Sequence, residues 1–445
     1  MININSYLKR AIKRNNKKTE KKACDITHNI PKKNTINILV LSSNYNSFVK
    51  EITEATSTIS TVNICVLVRY NGLAELYKYL PIPSLSNHIK RYTKKNIVSI
   101  SNLPQNICVH LINLKYLIPD GYNVSLPVHL YKKIRDFIYK NNINIDIIHS
   151  HFSWPYGVVG IYLKRHFNVP LVVSLHGSDV REPLLNRSNH NWRLLNFALY
   201  KVIQYSDALV TYHEEIRDLL IRRYGPEIKK KLIFTYKPIP ESRFNCSHTN
   251  IYKNEQRCNS PILDSGKYKV LFLARVDKDK DPITFIKAAK LLRKYKDIIF
   301  ILVGTGKLFD HVKEFKQKNK LSNVYLVGWS STPERWFCTA DVYCALSPIE
   351  NIWSTTLQEA IMADLPIIST KVGYTTRVLT HLKNAYLIPP SNPVELARAI
   401  LFLRNNPKYS KKIVAHNKKF KESFKEESFQ KTMSILYSKL KGEFR

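Results

Sequence analysis

Short, unbroken apolar runs return along this chain, and they constrain its fold more than any other feature. In the first half they are INILVL (36–41), VNICVLV (62–68), ICVHLI (107–112), IDIIHS (145–150), PLVVSLH (170–176), ALVTY (208–212) and KLIFTY (231–236). A strand that alternates apolar and polar residues keeps one wet face; a strand apolar throughout is covered on both. Helix-length amphipathic stretches, such as 156–167 and 214–224, lie between the runs. The combination predicts parallel sheets wrapped by helices.

After a polar stretch, NCSHTNIYKNEQRCNS (245–260), the pattern restarts. KVLFLA (269–274), DIIFILVG (297–304), VYLVG (324–328), DVYCAL (341–346), LPIIST (365–370) and AYLIP (385–389) are the second set. Asp281 is a natural N-cap, and Pro282 suits the first position of the helix that follows it. Two such series predict an α/β chain of two doubly wound, Rossmann-like domains facing a cleft. The expected divisions are a basic tail (1–34), a first domain (35–244), a linker (245–266), a second domain (267–412) and a helical segment (413–445) packing back on the first domain. A length of 445 residues agrees with two or three domains.

Seventy Lys and Arg against 34 Asp and Glu leave a formal charge of +36, which favours anionic partners. The lysines are spread through helical segments and tails, with no basic stripe interleaved with aromatics, so nucleic acid is not expected. No apolar run reaches the roughly 18 residues of a membrane span, and the basic N-terminus lacks the apolar block of a signal peptide. A cytoplasmic chain touching an anionic membrane peripherally is the expectation. Within the tail only Ile4, Leu8 and Ile12 are spaced as a helix face, and a disordered tail is expected over a membrane helix. The seven cysteines form no CxxC pair and are expected to be reduced packing residues.

In such folds ligands bind beyond the carboxyl ends of the strands. After the run at 269–274 come Arg275 and Lys280, two cations able to face one anion; a solvated loop is the alternative. After 297–304 come Gly304 and Gly306, which permit close backbone approach or a plain turn. After 341–346 comes SPIENIWSTTLQEA (347–360). Thr355 and Gln358 fit a capping box, predicting a helix from Thr355 with open N–H groups at Thr356 and Leu357. Glu350 at the strand end and Glu359 one turn into the helix are carboxylates able to accept sugar hydroxyls, though Glu359 also suits a first helical turn. In the first half, His149 and His151 share a strand face without a third ligand, so no metal is expected. His176 and Gly177, with Asp179 close by, are the better site candidates.

As an ordered set these residues resemble the retaining, nucleotide-sugar-dependent glycosyltransferases of the GT-B fold, family 4. The matching pieces are Ala274-Arg275 with Lys280, Gly304-Thr305-Gly306, Ser347-Pro348-Ile349-Glu350 and Glu359-Ala360-Ile361-Met362-Ala363. The stretches at 146–157 and 174–180 resemble the family's His-x-His and His-Gly loops. The resemblance implies that Arg275 and Lys280 neutralise the donor diphosphate, with help from amides near Thr355, Thr356 and Leu357. It implies that Glu359 holds the ribose, Glu350 the donor sugar, and that His176 lines the sugar side. It implies a nucleotide-sugar donor, most simply UDP-linked, and an acceptor that is a surface glycan or lipid-linked oligosaccharide. It implies retention of stereochemistry and no metal or other cofactor. A nucleotide-sugar epimerase or hydrolase, or a non-catalytic nucleotide-sugar or nucleic-acid binder, remain alternatives. Four positions depart from the family pattern: the first strand leads into SSNYNSFVK (42–50) without glycine, Lys237-Pro238 stands for Asn-Gly, Ala274 for Gly, and Asp364 for the helix-ending Gly. Eight residues separate the two glutamates where the family has seven, so either Glu350 or Asn351 meets the sugar; the carboxylate is preferred.

Overall fold

The computed structural model describes residues 35–72, 93–98, 103–114, 123–185, 191–244, 266–349 and 354–444. The basic tail, nearly all of the 245–266 linker, Glu350 and Asn351 lie outside the described residues. Every apolar run singled out above contains a strand. In the first sheet these are β1 (Ile36–Ser42), β2 (Val62–Tyr70), β3 (Ile107–Asn113), β4 (Ile147–His151), β5 (Leu171–Leu175), β6 (Ala208–Thr211) and β7 (Leu232–Phe234). In the second they are β8 (Tyr268–Leu273), β9 (Ile298–Val303), β10 (Val324–Gly328), β11 (Val342–Ala345), β12 (Ile367–Thr370) and β13 (Tyr386–Ile388). The orders are β3-β2-β1-β4-β5-β6-β7 and β10-β9-β8-β11-β12-β13, and the paired strands run parallel.

Both orders reverse direction once, between β1 and β4 and between β8 and β11. At such a switch point the loops leave to opposite faces and open a crevice. Two compact units divide the described residues. The second comprises Tyr212–Arg223 and Phe234–Lys431; the first comprises the residues up to Thr211, with Tyr224–Ile233 and the segment from Thr432 onward. That last segment supplies Tyr437, whose hydroxyl meets His149 Nδ1 at 2.8 Å, and Lys441, which reaches the Asp146 carboxylate at 3.3 Å.

The reason for the unbroken apolar runs is visible in the burial. All six residues of β9 and all five of β5 are buried. In the second unit Phe272, Phe285 and Phe300 pack ring on ring, with centroids 5.3 and 5.2 Å apart. Phe285 belongs to helix α1 (Pro282–Leu291), which Asp281 caps through Thr284 N–H at 3.1 Å. Asp281 adopts the left-handed conformation, φ 50°, as does Asp364, φ 56°, at the end of its helix; aspartate tolerates that region better than most residues.

Phe285 is fully buried between two other rings. Phe285→Ala should therefore cost the second unit about 3–5 kcal/mol, read as a lowered urea midpoint by fluorescence of the buried Trp336. A loss below about 1 kcal/mol would show that the site collapses around the cavity, against this packing account.

Candidate active site

Beside the second switch point, on the side where the strand order does not reverse, the loop after β8 and the loop after β9 are zipped together. Val276 N–H donates to the Thr305 carbonyl at 3.0 Å, and Leu308 N–H to the Val276 carbonyl at 2.9 Å. Lys307 N–H donates to Asp277 Oδ1 at 2.8 Å. Gly304, with φ 129°, lies so close to this loop that a Cβ there would sit 1.9 Å from the Ala274 carbonyl oxygen. At Gly306 a Cβ would be 2.6 Å from both the Val276 carbonyl oxygen and Asp277 Oδ1. The close approach expected of these glycines is thus to the Arg275 loop. Their structural work is to hold that loop against the sheet.

Arg275 is not a bare cation. Its guanidinium meets Asp277 and Asp279, the latter at 2.7 Å, while its side chain is 64% exposed. Lys280 ends the same loop and lines a cavity between the ends of β8 and β11, together with Ser347, Thr356, Leu357, Thr370 and Thr375. The space is about 20 Å³, room for roughly one water. Hydroxyls cross-link its walls. Ser347 donates to the Asp279 carbonyl at 2.6 Å, Thr370 to the Ser347 carbonyl at 2.6 Å, and Tyr343 to Thr356 Oγ1 at 2.9 Å.

Helix α2 (Thr355–Met362) starts where expected, but its cap differs. Ser354, not Thr355, is the N-cap; its Oγ accepts from Leu357 N–H at 3.3 Å. The Leu357 N–H also points to the Ser354 carbonyl at 3.1 Å, so it is not an open donor. Among the described residues no acceptor meets the N–H of Thr355 or Thr356. The open N-terminus is thus one residue earlier than the capping-box reading placed it.

Glu359 is buried, 8% exposed. Its Oε1 lies 3.4 Å from Arg243 Nη2, which also reaches Glu334 at 3.2 Å. A buried carboxylate needs such a partner to remain charged. Sequence reasoning missed Arg243. It stands in ESRF, more than a hundred residues before Glu359, with no motif around it.

His176 and Gly177 belong to the first unit, following β5. Gly177 has φ 92°, the turn that glycine allows. Asp179 holds this turn, accepting from His176 N–H at 2.8 Å and from Ser153 N–H at 3.0 Å. His176 Nε2 meets His151 Nδ1 at 2.9 Å, and the His151 ring stacks on both His176 and His149. Both nitrogens of His149 are engaged, by Tyr437 and by Ser174 at 2.8 Å each. Burial lowers the pKa of His149 to about 3 and depresses His151 also, the latter helped by its two histidine neighbours. Burial raises Asp179 to about 6, against the pull of its backbone N–H donors. Cys338 is disulfide-bonded, contrary to the expectation of reduced thiols, with its partner outside the described residues; spacing cannot show a pair that only folding brings together.

Two family descriptions match the chain, "Glycosyltransferase Family 4" over residues 101–239 and "Glycosyl transferases group 1" over residues 254–420. This chain belongs to the group 1 glycosyltransferases of the GT-B fold. An uncharacterized glycosyltransferase of Methanocaldococcus jannaschii is 26% identical to this glycosyltransferase over 338 residues, 76% of this chain and 86% of that one. The D-inositol 3-phosphate glycosyltransferase of Pseudarthrobacter chlorophenolicus is 26% identical over 273 residues, 59% of this chain and 63% of its own length. Among solved structures, Anabaena HepE in complex with UDP-glucose superposes with a TM-score of 0.63 at 16% identity, covering 91% of this chain and all of HepE.

The buried titratable groups of the glycosyltransferase's first unit give it an acid response of known sign. Burial disfavours the charged form of His149 and His151, so their contribution is complete above about pH 6.5 and is lost as pH falls below it, for His149 through about pH 3. Asp179 opposes them: with its value raised from 3.8 to about 6, its contribution is complete below pH 3.8 and is lost as pH rises to 6. Between pH 4 and 6 the unfolded chain thus takes up about one proton more than the native one at these three groups, worth about 1.4 kcal/mol per pH unit. His149→Gln should flatten stability against pH in this window, and Asp179→Asn should steepen it. Denaturant melts at several pH values check both; equal slopes in the three proteins would refute the assignment.

Proposed function

We propose that this glycosyltransferase moves a sugar, with retention at the anomeric carbon, from a UDP-sugar to a growing surface glycan or lipid-linked oligosaccharide. The carrying observation is that Lys280 and the N-terminus of α2 share one concave surface at the β8/β11 switch point. A cation and N–H groups at a helix N-terminus complement a diphosphate. Arg275 joins them from the same loop. Its pairing with two aspartates is largely solvent-exposed, worth only about 0–1 kcal/mol, so a diphosphate competes for it effectively.

In this reading the cations stabilise the negative charge that gathers on the departing nucleotide. Cationic side chains supply the positive charge that a metal supplies in other transferases. Glu359, held by Arg243, accepts from the ribose hydroxyls. Glu350, with Asn351 beside it, takes the sugar hydroxyls, and His176 lines the sugar side. The acceptor attacks from the face the leaving group vacates. The UDP-glucose complex of HepE supports a uridine donor, and the +36 charge supports peripheral contact with an anionic membrane, where lipid-linked acceptors reside.

A thermal-shift series across nucleotide-sugars tests the donor. A UDP-sugar should raise the melting temperature by mass action. Arg275→Ala and Lys280→Ala should each abolish the shift and lower kcat by roughly 10²–10³. Undiminished shifts in both variants would overturn the diphosphate assignment, and donor turnover without any acceptor would favour a hydrolase or epimerase. Vesicles of phosphatidylglycerol test the membrane contact: binding should weaken as salt rises. No binding, or binding indifferent to salt, counts against it.

A further inference from the structure

Cys65 in β2 and Cys108 in β3 are register partners on adjacent parallel strands. Residues two apart on a strand share a face, so His110 stands beside Cys108 on that face. One ligand atom from each of the three lies within 4.8 Å of the others. Cys65 is buried and Cys108 and His110 are half-buried, and both thiols are free. His110 Nε2 is sealed from solvent and has no hydrogen-bond partner among the described residues. A buried polar atom left unmatched costs about 1–3 kcal/mol and calls for an explanation.

We propose that Cys65, Cys108 and His110 bind one zinc ion, which ties the edge strand β3 to β2. Two thiolates and an imidazole are the donor set of zinc rather than of magnesium or calcium. A Zn–S bond of about 2.3 Å makes the edge of a tetrahedral site about 3.8 Å, so the cluster has only about 1 Å to contract. The fourth position is left for water. Spacing conceals the site, because its ligands come from two strands, and the expectation of no metal rested on spacing. β1 separates β2 from β4, and both β1 and β4 separate it from β5, so the metal's role is structural. The proposal does not rest on the donor assignment.

Full-length protein, reduced and freed of metal with a chelator, is titrated with Co²⁺ and then Zn²⁺. One equivalent of cobalt should produce thiolate-to-cobalt charge-transfer and tetrahedral d–d absorption, which zinc then displaces. One equivalent of zinc should raise the melting temperature of the wild type but not of Cys108→Ser or His110→Gln, each first shown to be folded by circular dichroism. His110→Gln decides the matter if the serine variant does not fold. Absence of the cobalt spectrum in reduced wild type overturns the proposal. So does an identical spectrum in the variants, which would place the metal on other cysteines. Thiol mapping that recovers a Cys65–Cys108 disulfide from protein isolated without reductant and kept from air overturns it as well.

Discussion

Parallel strands covered on both faces meet water only at their ends, and the candidate site follows from that constraint. With every residue of β9 buried, no side chain of that strand is available for chemistry. The polar groups collect in the loops beyond the carboxyl ends. Where the strand order does not reverse, as from β8 to β9, neighbouring loops lie side by side and bond to each other. Gly304 and Gly306 permit this at distances no Cβ would tolerate. Where the order does reverse, from β8 to β11, the loops part and Lys280 faces the start of α2 across a cavity. The glycines and the cations are thus two results of one topology: the zipped side is the foundation and the parted side is the site.

This explains what was legible in the sequence and what was not. Burial on both faces writes itself as unbroken apolar runs, so every strand could be placed to within a residue or two. The Asp281 cap and the left-handed Asp364 were legible because each depends on backbone conformation within a few residues. The Ser354 cap was displaced by one residue because Ser354, Thr355 and Thr356 can all cap, and only the exit of the preceding loop chooses among them. What the glycines approach was illegible, since nothing in Gly-Thr-Gly says whether the neighbour is a ligand or another loop. Arg243 and the zinc ligands were illegible for a further reason: their partners are distant in sequence, and a lone Arg or Cys carries no periodicity.

The two charged contacts at the site differ in strength in a way that bears on the proposed transfer. The pair of Arg243 and Glu359 is shielded, with side chains 25% and 10% exposed. Removing Arg243 would take a cation from a buried carboxylate, which is destabilising, whereas Arg243 without Glu359 would keep Glu334. The contact of Arg275 with Asp279 is 64% and 49% exposed, and solvent screens most of its attraction. Glu359 is therefore fixed before any nucleotide arrives, whereas Arg275 can leave its aspartates at little cost. Fixed geometry suits a group that recognises neutral hydroxyls, because misplacement by a fraction of an ångström loses the bond. Mobility suits a cation that must follow charge as it moves onto a departing diphosphate. The aspartates keep Arg275 near the strand end without holding it there, so the same acidic loop that weakens its ground-state field also shortens the distance it must travel.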